Sequence, residues 1–196
     1  MSPPGNFWKS PFVWEPGAPA PDLRGTARPA AADLSFTDSD PQWLVAAVAQ
    51  VMSTSSDRAD QVFVAELGAD PAARQFLASA SRHFRVPPHW WRTAWNTAND
   101  AVGFVLPVLF REEDSMRDGR PEATIFYMGV LPLFRKLGYA GSLLHEAIRL
   151  ASQADCWRLF CDTGTDNLPM VRAFRRAGFV EGEPRQQPLP KPRSHS

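Results

Sequence analysis

Arg135-Lys136-Leu137-Gly138-Tyr139-Ala140 lies between an apolar run, Ala123 to Val130, and an amphipathic stretch. Pro132 cannot donate in a central ladder, so the apolar run ends before it, and Gly138 reaches backbone angles closed to other residues. A tight turn at Gly138 leaves a row of unpaired N–H groups. Those amides and the positive end of the following helix face one point, where the backbone would hold a doubly charged phosphate group and Arg135 and Lys136 would add charge. The helix carries Leu143, Leu144, Ala147, Ile148 and Ala151 on one face and His145, Glu146, Arg149 and Gln153 on the other. Other phosphate motifs fail: Gly-x-x-x-x-Gly-Lys-Ser/Thr is absent, and Gly138-Tyr139-Ala140-Gly141 lacks the dinucleotide-fold spacing.

The elements that position this loop follow from local patterns. Ala32 to Phe36 reads as a short strand, and Pro41 opens a helix in which Trp43, Leu44, Ala47, Val48 and Val51 share a face. Asp70-Pro71 marks another helix start, while Val62 to Leu67 fits a strand or a helix. Trp90 to Thr97 and Val102 to Phe110 flank a turn at Ala98, Asn99 and Asp100, which predicts a hairpin. Arg111 to Glu122 is a charged loop, Cys156 to Asp162 a strand, and Asn167-Leu168-Pro169 a helix entry ahead of Gly178 at its end. Met1 to Arg28 shows no regular periodicity, yet Phe7, Trp8, Phe12 and Trp14 are too apolar for a solvated tail. The organisation expected is an irregular arm over 1–28, one domain over 29–183 and a Pro-rich basic tail over 184–196.

Composition narrows the classes. The 196 residues are 44% hydrophobic with zero formal net charge, which suits one well-buried core and argues against nucleic-acid binding as the main role. Cys156 and Cys161, five apart on a strand, stand roughly 16 Å apart and cannot pair with each other. No secretory leader or membrane span is apparent, so a reducing cytoplasm is expected. The arginine and alanine usage suggests a bacterial, GC-rich genome.

The loop resembles the Gln/Arg-x-x-Gly-x-Gly/Ala motif of the GNAT (GCN5-related N-acetyltransferase) superfamily, met by Arg135, Gly138 and Ala140. Val130-Leu131-Pro132-Leu133-Phe134-Arg135 matches that family's Val-x-Pro-x-x-Arg approach. Asn167 with Phe174-Arg175-Arg176-Ala177-Gly178-Phe179 resembles its Asn-x-x-Ala-x-x-Leu-Tyr-x-x-x-Gly-Phe ending. The resemblance spans about Ala123 to Val180. It implies an α/β (α+β) fold: a central mixed, mostly antiparallel sheet splayed between the fourth and fifth strands and flanked by helices. It also implies acetyl-CoA as cosubstrate, with the pantetheine arm in the split beside Met128 and Val130. The pyrophosphate would lie on Arg135, Lys136, Leu137, Gly138, Tyr139, Ala140, Gly141 and Ser142, and the thioester near Asn167 and Phe174.

The implied reaction is direct attack of a primary amine on the thioester, with the amine on a small molecule. A protein amino group, or a non-catalytic acyl-CoA-binding module, are the alternatives. An alkylamine with a pKa near 10.4 must lose a proton first. Relatives that acetylate histones carry a glutamate at what is here Thr124, so the base must lie elsewhere: Glu122 on the same strand face, or Asp162 at the end of the other strand. His83 and His89 flank the acceptor side. Asn167 would position cofactor and acceptor, and Phe174 replaces the family's tyrosine acid. No metal is implied. Trp90 and Trp91 must face opposite sides of the sheet, and either of these, or Trp95, could meet an acceptor with an aromatic body. Nothing after Phe179 alternates like a last strand, so that strand is missing, or the amino-terminal arm or a second subunit covers the sheet edge. The chain is thus expected to be a monomer or homodimer, with neither a nucleic acid nor a membrane as partner.

Overall fold

A computed structural model describes residues 6–17, 33–111 and 115–188. Its strands are β1 (Asn6–Trp14), β2 (Ser35–Asp38), β3 (Arg92–Trp95), β4 (Ala101–Leu109), β5 (Glu122–Val130), β6 (Arg158–Gly164), β7 (Val180–Glu181) and β8 (Arg185–Pro188). The helices are α1 (Pro41–Ser53), α2 (Arg58–Leu67), α3 (Ala69–His83), α4 (Tyr139–Gln153) and α5 (Leu168–Arg176). One sheet runs in the order β2-β3-β4-β5-β6-β1-β7, with β8 also on β1. Every pairing is antiparallel except β5 with β6. No helix among the described residues is long and apolar enough to cross a membrane.

Helices cover both faces. Leu44, Val48 and Met52 of α1 and Ala72 and Ala73 of α3 pack on Phe104 and Leu106 of β4. Leu143, Leu144 and Ala147 of α4 and Val171 and Phe174 of α5 pack on the other face, against Val105, Ile125, Leu159 and Phe12. With both faces buried, β4 is apolar almost throughout. The segment over 62–67, ambiguous by pattern, is helical, because Asp57 caps α2 by accepting from the Ala59 N–H at 2.8 Å.

The sheet splits between β5 and β6. Their pairing covers only Glu122–Thr124 against Arg158–Phe160, while β5 continues to Val130 bonded to β4 alone. The register along β4 steps from Leu106↔Tyr127 to Pro107↔Ile125, leaving Phe126 as an extra residue. This bulge lies where Pro107 has no N–H to give, and bulges bend the strand that carries them. Both Phe126 and Tyr127 therefore turn toward α3, with ring centroids 4.5 and 5.0 Å from Phe76. Gly129 of β5 allows close approach, since a Cβ there would lie 2.7 Å from Val51 of α1.

The arm expected to be irregular over 1–28 contains β1, inserted beside β6 from Lys9↔Gly164 to Trp14↔Leu159. The first strand thus takes the edge for which no last strand was legible, and it does so within one chain. The split falls between the two strands expected to flank it, which become the fifth and sixth only because β1 is counted first. On the other side of β1, β7 pairs with Phe12 and Val13, and β8 with residues 6–9. Pro11 falls in the gap between them, where its carbonyl accepts from the Gly182 N–H at 2.9 Å and its missing N–H costs no ladder bond. The tail over 184–196 is therefore not wholly a tail: 185–188 are in the sheet, and 189–196 lie outside the described residues.

Candidate active site

The loop between β5 and α4 has the shape its sequence predicts. A single turn of 3-10 helix (Pro132–Phe134) leads into Arg135, after which Lys136 at φ 67° and Gly138 at φ 85° both occupy the left-handed region. Gly138 is the residue before α4 and supplies no side-chain cap. Among the described residues, no backbone carbonyl accepts from the N–H groups of residues 136–140. Five successive amides, Lys136, Leu137, Gly138, Tyr139 and Ala140, thus surround the positive end of a fifteen-residue helix. The Gly141 N–H is already bonded to the Gly138 carbonyl at 3.2 Å, and Ser142 is buried in the first turn. Both belong to the helix rather than to the amide row.

Arg135 does not add its charge to that row as expected. Its Nε donates to the Val130 carbonyl at 3.2 Å, Nη1 to the Thr54 carbonyl at 3.0 Å and Nη2 to Thr54 Oγ1 at 2.7 Å. It ties the loop to the end of α1, and exposed Lys136 is the remaining loop cation.

The row lies at the open end of the split. The Leu131 N–H bonds to Val102 on the β4 side, so by alternation the N–H and C=O of Val130 and Met128 point toward the split. Asn167, at the start of α5, does not cap that helix; its Nδ2 donates to Thr163 Oγ1 of β6 at 3.2 Å. Acetyl-CoA fits this arrangement, with the Met128 and Val130 N–H groups of β5 facing the split, a free amide row for its pyrophosphate and nothing within 4 Å of a Cβ at Gly141.

Three expected site residues are placed elsewhere. Glu122 lies at the closed end of the split, where its carboxylate accepts from Arg158 Nε at 2.5 Å; eight residues from Val130, it is roughly 26 Å from the loop. Phe174 is 2% exposed and stacks on Phe12, so it offers no surface to a thioester. Asp162 faces the α1–α3 side but is held by Lys9 Nζ at 2.9 Å, with Arg185 at 3.7 Å. The tryptophans are packing residues: Trp90 and Trp91 enter opposite clusters, and the Trp95 Nε1 donates to Thr37. His89 bonds Asp38 at the surface.

A cavity of about 390 Å³ opens on the α2–α3 side of the sheet, between those helices and β1 with β8. Phe7, Met52, Phe63 and Phe76 form its apolar walls, Lys9 stands on one side, and Arg82 and His83 stand on α3. Asp60 of α2, 6% exposed, lines it and accepts from the Tyr127 hydroxyl at 2.7 Å. Burial pushes the Asp60 carboxyl up to about 6, against hydrogen bonds from Ser55 and Tyr127 that favour its charge. Burial and the neighbouring Asp60 charge push the Tyr127 phenol well above its usual range, so it stays protonated and donates. Asp60 escapes sequence reading, because an aspartate in a first helical turn is ordinarily a solvated charge favoured by the helix dipole. The available signal was its helical phase, three residues ahead of Phe63 on one face.

The sequence profile of the Acetyltransferase (GNAT) family matches residues 52–179. Among solved structures, a GCN5-related N-acetyltransferase from Sphaerobacter thermophilus is similar at 13% identity and TM-score 0.51, over 94% of this chain and 52% of its own. An acetyltransferase of the GNAT family from Colwellia psychrerythraea is similar at 14% identity and TM-score 0.51, over 95% of this chain and 56% of its own. The chain spans about half the length of these two proteins, and the likeness is one of fold. No curated protein matches the chain.

Proposed function

The chain belongs to the Acetyltransferase (GNAT) family, and from that premise we propose that it is an acetyl-CoA-dependent N-acetyltransferase that acetylates the primary amine of a small molecule by direct attack. One observation carries the reading: the amide row of residues 136–140 stands at the mouth of the split that opens beyond Thr124 and Phe160. Acetyl-CoA supplies the acetyl group as a reactive thioester. The backbone of residues 136–140 holds its pyrophosphate, the split-facing amides of Met128 and Val130 orient the pantetheine, and Asn167 stands across the split from them.

Direct transfer is favoured over an acyl-enzyme. Cys161 is 2% exposed and its thiol is pushed well above the usual range by burial, while burial moves Cys156 to about 11. Neither provides a thiolate at neutral pH. A small acceptor is favoured over a polypeptide, because β8 and β1 wall one side of the cavity and α2 with α3 the other. The test is calorimetric titration with acetyl-CoA, followed by CoA release against a panel of amines and peptides. Affinity in the micromolar range with turnover of a small amine is the expected result; absence of acetyl-CoA binding overturns it.

A further inference from the structure

Asp60 is the one carboxylate among the described residues that line the cavity. Its surroundings are mostly apolar, with Phe63 and Phe76 set edge to face at 6.4 Å and Phe7 and Met52 beside them. A buried carboxylate in such a place is costly unless partners offset it, and the hydrogen bonds from Ser55 and from the Tyr127 hydroxyl on Oδ2 leave its negative charge without a cation of its own. Lys9 cannot serve fully, since its ammonium is held by Asp162 at 2.9 Å. What the carboxylate lacks is a cation entering from the cavity.

Position adds to this. Tyr127, which donates to Asp60, directly precedes Met128 on β5, so the Asp60–Tyr127 pair is anchored one residue from a strand position whose backbone points to the split. Resting on the acetyltransferase reading, we propose that the acceptor is a compact amine carrying one positive charge on an apolar body, and that Asp60 receives its ammonium and takes its proton. A single charge follows from the lining: beyond Asp60 the cavity offers Arg82, which repels a second cation, and no second acid. Asp57, Lys9 with its partner Asp162, and Arg135 are the charged groups around the pair of Asp60 and the neutral Tyr127 phenol.

The step balances. The ammonium nitrogen passes a proton to a carboxylate oxygen of Asp60, and the freed lone pair forms the C–N bond to the thioester carbonyl. The C–S bond breaks with its electron pair leaving on sulfur. The surplus amide proton goes to that thiolate, and Asp60 returns its own proton to solvent through the cavity mouth. Burial makes Asp60 a stronger base than an exposed aspartate, and the same apolar walls lower the proton affinity of the bound amine.

The experiment uses 2-phenylethylamine as the singly charged probe and spermidine as the multiply charged one, with wild type, Asp60→Asn and Asp60→Glu. Acetyl-CoA affinity, measured separately by calorimetry, is expected to agree within about twofold among all three; its absence in wild type would refute the acetyltransferase reading instead. Wild type is expected to turn over 2-phenylethylamine at least about tenfold better in kcat/KM than spermidine. Asp60→Asn should lower kcat/KM for 2-phenylethylamine by about 10²–10⁴-fold. Wild type is expected to lose activity as pH falls through about 6, and Asp60→Asn should remove that loss. Asp60→Glu, which keeps the charge, should recover part of the rate. Asp60→Asn activity within about threefold of wild type, preference for spermidine, or acetyl-CoA binding without turnover of 2-phenylethylamine would each overturn the proposal.

Discussion

Phe12 of β1 stacks on Phe174 of α5, with ring centroids 4.8 Å apart and planes 21° apart. Phe179 meets the same Phe174 ring edge-on at 5.2 Å, so the residue at the family's tyrosine position is enclosed by aromatic carbon. A core contact, not a reacting group, occupies the place.

Phe174→Tyr should therefore cost about 1–3 kcal/mol, because a hydroxyl would enter an apolar site without a partner. CoA release should change little. Phe12→Ala should cost about 3–5 kcal/mol by leaving a cavity against α5. Urea unfolding and steady-state rates check both.

Gly138→Val should remove acetyl-CoA binding from a folded protein. A β-branched residue at φ 85° is strained by about 1–3 kcal/mol, and its side chain would project at the amide row. Arg135→Ala should act in the reverse proportion. It loses three hydrogen bonds that tie the loop to α1 and β5, so the melting temperature should fall while affinity drops by less than about tenfold. Calorimetry with acetyl-CoA and thermal melts on each variant separate the two roles.

Asp60→Asn should raise stability while it removes activity. A carboxyl moved from its usual 3.8 to about 6 in the folded state binds more protons there than in the unfolded state between those values. Wild-type stability is therefore greatest at low pH from this group and falls as pH rises from about 4 to 6, by up to about 3 kcal/mol. Asn has no such dependence and still accepts from Tyr127. Unfolding free energies of the two proteins should thus diverge across this window and differ most at pH 7.

Glu122→Gln tests the carboxylate first suspected on the central strand. It leaves Arg158, a third exposed, without its ion-pair partner, which should cost about 1–3 kcal/mol. The acid limb of the rate profile and the rate at saturating substrate should stay as in wild type.

Elements specified by neighbouring residues were legible. The Asp40-Pro41 start of α1, the hairpin of β3 and β4, and the loop at Gly138 all rest on caps, turns and local periodicity. What escaped depended on distant partners. Strand β1 is recognisable only beside β6, and Pro11 obscured it until the gap between β7 and β8 supplied the reason for it. Asp60 became a candidate only when the packing of α2 brought it to Tyr127, 67 positions along the chain. Arg135 has the right type and spacing for a phosphate contact, but the nearness of Thr54 claims its guanidinium.

The pairing of β1 with β6 also imposes an order on assembly. Phe12 opposes Cys161, so a ribosome adding roughly 5–20 residues per second delivers the partner strand about 7–30 s after the first one emerges. Throughout that interval the opening segment of the chain has no sheet to join, and the β2–β5 meander can form without it. Contacts of such sequence separation slow folding. Final closure of the sheet is thus a late event, joining the start of the chain to its last third, and the wall that Phe7 and Lys9 give the cavity comes into being only then.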